Sequence, residues 1–201
     1  MKSIFITPGR LASGLVLGLA GVACGVDPNP GLPACEEALC TVDDEDGDVE
    51  GGRITVVRAP SEDAPVYFRF AAPDAAVSAE EVEAGAWDLS FARTKIRSNG
   101  GASGAGGVEV AWQDGLALAD ADAAPTSGWV TDGADEKELA FARSDGWYDY
   151  NLLKHVVEPR DRVYFVRATD GVVYAMRMIS YYDHLGESRA PTFEWLPLAG
   201  P

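Results

Sequence analysis

The sequence predicts a mainly β protein, a single antiparallel β domain with one or two short helices, and three observations carry that expectation. Arg162 to Ala168 (RVYFVRA) and Val172 to Tyr182 (VVYAMRMISYY) are apolar, β-branched runs joined at Asp170-Gly171, a dipeptide that specifies a tight hairpin. Trp87 to Trp112 places two strand-like runs on either side of SNGGASGAGG, a loop of five glycines and no large side chain. In the first run Trp87, Leu89 and Phe91 share a parity that Arg93, Lys95 and Arg97 continue. In the second, Val108, Val110 and Trp112 alternate with Glu109, Ala111 and Gln113. Helical signals are scarce: Ser78-x-x-Glu81 reads as a capping box for at most two turns before Gly85.

At the N-terminus, Lys2 and Arg10 lead into an apolar run, Leu11 to Ala23, that ends at Cys24. Its 13 residues fall short of the roughly 20 a transmembrane helix needs, so residues 1–23 read as a signal peptide. Leu19 to Cys24 (LAGVAC) resembles a bacterial lipoprotein signal, whose cysteine becomes the lipidated first residue of the mature chain. Gly21 departs from that pattern, which usually has a larger aliphatic residue there, and Gly21-x-Ala23 also suits ordinary signal cleavage. Three cysteines in an exported protein leave one unpaired, and lipidation of Cys24 leaves Cys35 and Cys40 as a disulfide. Residues five apart on a straight helix lie about 7.5 Å apart along the axis, so this bridge requires a turn over Glu36 to Leu39.

Residues 24–52 are rich in proline, glycine and acids without an apolar period, and read as a tether. Their run Asp43 to Asp48 invites a calcium reading, which fails on spacing. Aligning Gly47 with the glycine of an EF-hand loop puts Val42 at the first ligand position and Arg53 at the last. Loss of Lys2 and Arg10 with the signal removes two of 16 basic residues and none of 32 acidic ones, moving the net charge from −16 to −18. Such an acidic chain with no basic patch argues against nucleic-acid binding.

The domain is expected over residues 53–201. RITVV and VYFRF are strand candidates separated by the turn-forming PSEDAP. Residues 114–137 form a long irregular segment with Trp129 as its anchor into the core. Leu139 to Arg143 (LAFAR) echoes Leu89 to Arg93 (LSFAR) and is expected to be a strand, and Thr192 to Leu196 (TFEWL) is expected to be the last one.

Three blocks in order resemble the HmuY-like family of bacterial haem-binding outer-membrane lipoproteins. They are Trp87-Asp88-Leu89 to Arg97 leading into Asn99-Gly100-Gly101, then Arg162 to Arg167 with Asp170-Gly171, then Ile179 to Asp183 with a late aromatic strand. The likeness spans about residues 53–199. It implies an all-β domain, lipid-anchored at the outer membrane and exposed at the cell surface, that captures haem for iron acquisition and passes it to an uptake receptor. Family members grip the iron with two histidines or two methionines between the NGG loop and the RVYFVR strand. From Arg97 to Lys154 this chain has neither residue.

A haem site needs an apolar slot, one or two imidazole or soft ligands, and basic groups for the propionates. His155, Met176 and Met178 are the ligand candidates, and Arg93, Lys95 and Arg97 the propionate candidates, with no metal expected beyond the haem iron. Each has a competing role: His155 as a hydrogen-bonded surface residue, and the methionines as core, since they share a strand face with Val172 and Tyr174. Tyr148 and Tyr150 could ligate iron or simply pack. If haem binds, the glycine loop is expected to form a wall of its slot. Neither G-x-S-x-G nor H-E-x-x-H occurs, and no free cysteine stands beside a histidine, so catalysis is not expected. Two readings follow: a haem-binding surface lipoprotein, or the same scaffold without haem ligands, binding another ligand or partner.

Overall fold

The computed structural model describes residues 29–44 and 49–199. The expected signal peptide and Cys24 lie outside these residues. The strands are β1 (Leu39–Asp43), β2 (Arg53–Val57), β3 (Val66–Phe68), β4 (Leu89–Ala92), β5 (Lys95–Ser98), β6 (Glu109–Asp114), β7 (Tyr148–Asn151), β8 (Val156–Pro159), β9 (Arg162–Arg167), β10 (Val173–Tyr182) and β11 (Ser188–Pro197). The α-helix, α1 (Ala79–Glu83), carries the expected capping box: Ser78 and Glu81 exchange hydrogen bonds across its first turn. The architecture is the expected antiparallel β domain. A six-stranded sheet runs β1-β2-β11-β10-β9-β6, a three-stranded sheet runs β3-β4-β5, and β7 and β8 form a separate hairpin.

The strong β9–β10 hairpin lies in the interior of the large sheet, and both its faces are covered. Tyr164 and Val166 of β9, with Tyr174, Met176 and Met178 of β10, point into the principal core against the three-stranded sheet. Val163, Phe165 and Ala175 point the other way, into a smaller core closed by Leu118, Ala121 and the partly buried Trp129. The irregular segment thus acts as a cover; its buried anchors are Leu118 and Ala121, and Trp129, expected to be the anchor, packs against them only partly buried. Where the two sheets meet, Phe193 stacks on Phe91 with centroids 5.5 Å apart and meets the edge of Phe68 at 5.3 Å.

Several expectations are corrected. The first run of Trp87 to Trp112 is two strands, because the chain reverses at Arg93-Thr94 and pairs Leu89 with Ser98 and Phe91 with Ile96. Its second run, β6, pairs with β9 in the other sheet, so the glycine loop crosses between sheets and does not close a hairpin. Leu139 to Arg143 is no strand. Ala140–Ala142 forms a 3₁₀ turn, because the buried Asp132 carboxylate accepts from Ala140 N–H while Ala142 N–H bonds Leu139 O. Residues 39–43, within the expected tether, are a strand of the large sheet, since β1 pairs with β2 and Leu39 is buried there. The expected disulfide joins Cys35 to Cys40, with Cα atoms 5.8 Å apart.

Candidate functional site

Asp88 and Asn99, within the motif that carries the family likeness, are buried organisers of the backbone. Asp88 accepts from Phe70 N–H at 2.9 Å and from both Thr169 N–H and Thr169 Oγ1, at 2.8 and 2.7 Å. It thereby ties β3, β4 and the β9–β10 turn together. Asn99 donates to Gly85 O and Trp87 O and accepts from Gly106 N–H, folding the glycine loop back on its own side chain. Gly104 and Gly106 pack so closely on Asn99 that a Cβ at either would overlap its amide.

A cavity of about 360 Å³ opens at the turn end of the β4–β5 hairpin. Arg93 and Thr94 reach it from the β4–β5 turn, Tyr148, Tyr150 and His155 from the β7–β8 hairpin, and Tyr181 and Tyr182 from the end of β10. Arg189 of β11 completes it. The glycine loop, expected to wall a haem slot if haem binds, contributes no lining residue to this cavity. Tyr182 Oη accepts from Val157 N–H at 2.9 Å, joining the small hairpin to β10. Tyr150 Oη lies 3.2 Å from His155 Nδ1. Burial pushes the Tyr181 phenol up, against the opposing pull of Arg93. A second cavity, about 340 Å³, shares Thr94 and Tyr148 with the first and is floored by Phe141 and Trp147.

Of the sequence candidates, the fold brings His155 and Arg93 together. His155 is exposed at the tip of its hairpin, and Arg93 pairs with Glu62. Lys95 lines the second cavity, where it pairs with Glu136 and holds that carboxyl below its usual range. Arg97 lines neither cavity. Met176 and Met178 do not stand as ligand candidates: both are enclosed in the principal core, and neither lines the cavity. His184, in the loop after β10, is half-buried and outside the cavity. Sequence reasoning missed Arg189, whose position depends on a register shift between β10 and β11 that carries no local signal.

The sequence matches no protein-family model and no curated protein. Solved structures do match. A candidate lipoprotein from Bacteroides fragilis NCTC 9343 superposes with a TM-score of 0.54 at 19% identity, covering 84% of this chain and 100% of its own. A candidate HmuY-like haem-binding protein from Bacteroides vulgatus ATCC 8482 gives 0.51 at 18% identity, over 72% of this chain and 90% of its own. The apo form of an HmuY analogue from Tannerella forsythia gives 0.53 at 14% identity, over 77% and 100%. At these identities the likeness is one of fold, and the chain has the fold of the HmuY-like proteins.

Proposed function

We propose that this protein is a lipid-anchored, surface-exposed haem-binding protein of the outer membrane that serves haem and iron acquisition. The observation that carries this reading is that His155 and Arg93, remote in sequence, line one tyrosine-rich cavity. The donor set fits haem. An imidazole supplies an axial nitrogen, phenols offer a hard oxygen donor for ferric iron, and guanidinium groups meet propionates. With its Nδ1 engaged by Tyr150, His155 has Nε2 left to hold iron. Bound haem would supply the iron that gives the site its cargo, and the chain would supply the ligand, the aromatic walls and the countercharge. Anchoring through Cys24 and transfer to an uptake receptor belong to the same proposal.

A second reading, a surface module for another ligand or partner, draws on a specific observation. Among the described residues the cavity holds a single histidine and no methionine, so the paired-ligand pattern is not met. Titration of residues 25–201 with haemin separates the two. A sharp Soret shift with tight binding, lost in His155→Ala, is expected. Weak, featureless binding would favour the second reading. For the anchor, Cys24→Ser is expected to move the full-length protein from the membrane fraction to the soluble one, and unchanged membrane fractionation would refute lipidation.

A further inference from the structure

We propose that Arg93, His155 and Arg189 are kept against local backbone preference because their side chains build one binding site, in which Arg93 and Arg189 clamp a ligand bearing two carboxylates on an aromatic framework. Among the described residues, five that are not glycine have a positive φ, and three of them line this single cavity: Arg93 (57°), His155 (56°) and Arg189 (73°). In that region an L side chain crowds the backbone, and glycine is the residue of least cost. This chain follows the rule elsewhere, with glycine at nine other positive-φ positions. The other two exceptions, Ser144 and Asp145, share one turn outside this cavity.

The three positions have separate local origins. Arg93 opens the two-residue turn between β4 and β5, where glycine or asparagine is favoured. His155 ends the loop between β7 and β8. Arg189 sits where the β10–β11 register shifts: one residue lies between Ser180 and Tyr182 on β10, and three lie between their partners, Thr192 and Ser188, on β11. Such a bulge re-aims a side chain. Three unrelated loops therefore accept the same backbone penalty and direct their basic or imidazole groups into one place, as expected where strain is tolerated for binding.

The ligand class follows from the groups gathered. Arg189 makes no ion pair among the described residues, although the chain carries a net charge of −16. The Glu62 partner of Arg93 is 61% exposed, so a ligand carboxylate can replace it. Guanidinium forks suit carboxylates, and the tyrosine rings suit a flat apolar body. The inference rests on the reading that this cavity is the ligand site, and it does not depend on iron.

The test is therefore made with metal-free protoporphyrin IX beside haemin, using the mature chain and its Arg93→Gly, Arg189→Gly, Arg189→Lys and His155→Gly variants. Glycine suits each backbone position, so thermal midpoints are expected to stay level or rise. Protoporphyrin affinity is expected to fall at least tenfold in Arg93→Gly and Arg189→Gly and less in Arg189→Lys. His155→Gly is expected to weaken haemin far more than protoporphyrin. Protoporphyrin affinity unchanged in both arginine variants, alongside His155-dependent haemin binding, would overturn the clamp and leave the haem reading standing. A wild-type protein that binds neither porphyrin would overturn both. A lowered thermal midpoint with unchanged porphyrin affinity would show that the arginines serve the fold.

Discussion

Tyr150 Oη stands 3.2 Å from Nδ1 of His155, so the phenol and the backbone of the hairpin tip together set the direction of the imidazole. A haem-ligating histidine that uses Nε2 keeps its proton on Nδ1 and donates it outward, and Tyr150 is placed to accept. Partners of this kind typically contribute 10- to 100-fold to metal affinity, and both side chains here are exposed. Tyr150→Phe is therefore expected to weaken haemin binding about tenfold without altering the fold. A Soret titration measures this. An unchanged affinity would show that the backbone alone orients the ring.

Asp88 is expected to matter to stability and not to ligand binding. Its two carboxylate oxygens serve the buried Phe70 N–H and, at the part-buried edge of the site, the Thr169 N–H and hydroxyl. Asp88→Ala would strand the buried Phe70 amide, at a cost of roughly 1–3 kcal/mol, and would remove two further bonds to Thr169, which water can partly replace. A loss of about 3 kcal/mol in urea unfolding is expected, with Asp88→Asn losing less because the amide keeps one acceptor oxygen. A loss below about 1 kcal/mol would mean that water replaces these bonds.

How much of this was legible in the sequence depends on how local each cause is. The β9–β10 hairpin could be read because its turn dipeptide and its β-branched strands are contiguous. The β4–β5 turn could not, because Arg93 occupies a position where glycine is the expected signal. The same substitution that hides the turn supplies the cavity with a cation. Leu139 to Arg143 was misread because a carboxylate upstream, Asp132, captures its amide, and no strand pattern within the segment reveals that. For the site, His155 and Arg93 were identifiable by residue type. Their meeting, and the arrival of Arg189, depend on pairings between distant strands.

The glycine loop makes a further distinction testable. A Cβ at Gly100 would overlap the Val108 carbonyl oxygen, a backbone atom that cannot move without breaking the loop's hydrogen bond from Val108 N–H to Asn99 O. Gly100→Ala is expected to destabilise the fold by about 2–3 kcal/mol, in the range of overpacked sites. Gly115 has a φ of 67° and open space around its Cβ direction, and Gly115→Asn is expected to cost only a few tenths, since asparagine tolerates that region. Chemical denaturation of the two variants would check this. A loss at residue 100 no larger than that at residue 115 would show that the loop shifts to admit the added Cβ.

Glu194 gives the stability a pH dependence whose sign can be worked out. It is buried in β11. Burial raises its pKa above the ordinary 4.5, the nearby Asp44 adds to the rise, and Arg177, whose Nη2 donates at 2.7 Å, opposes it. The folded state therefore holds this proton more tightly than the unfolded one. Its contribution is fully present below about pH 4.5 and is lost as pH rises through the elevated folded value. Glu194→Gln cannot ionise, yet its amide oxygen can still accept from Arg177, so it escapes that loss. The midpoint of the variant relative to wild type is expected to climb between pH 4 and pH 7, followed by thermal unfolding in matched salt. A relative midpoint that falls across this interval would show that the Arg177 ion pair outweighs burial, and that the glutamate is held as an anion.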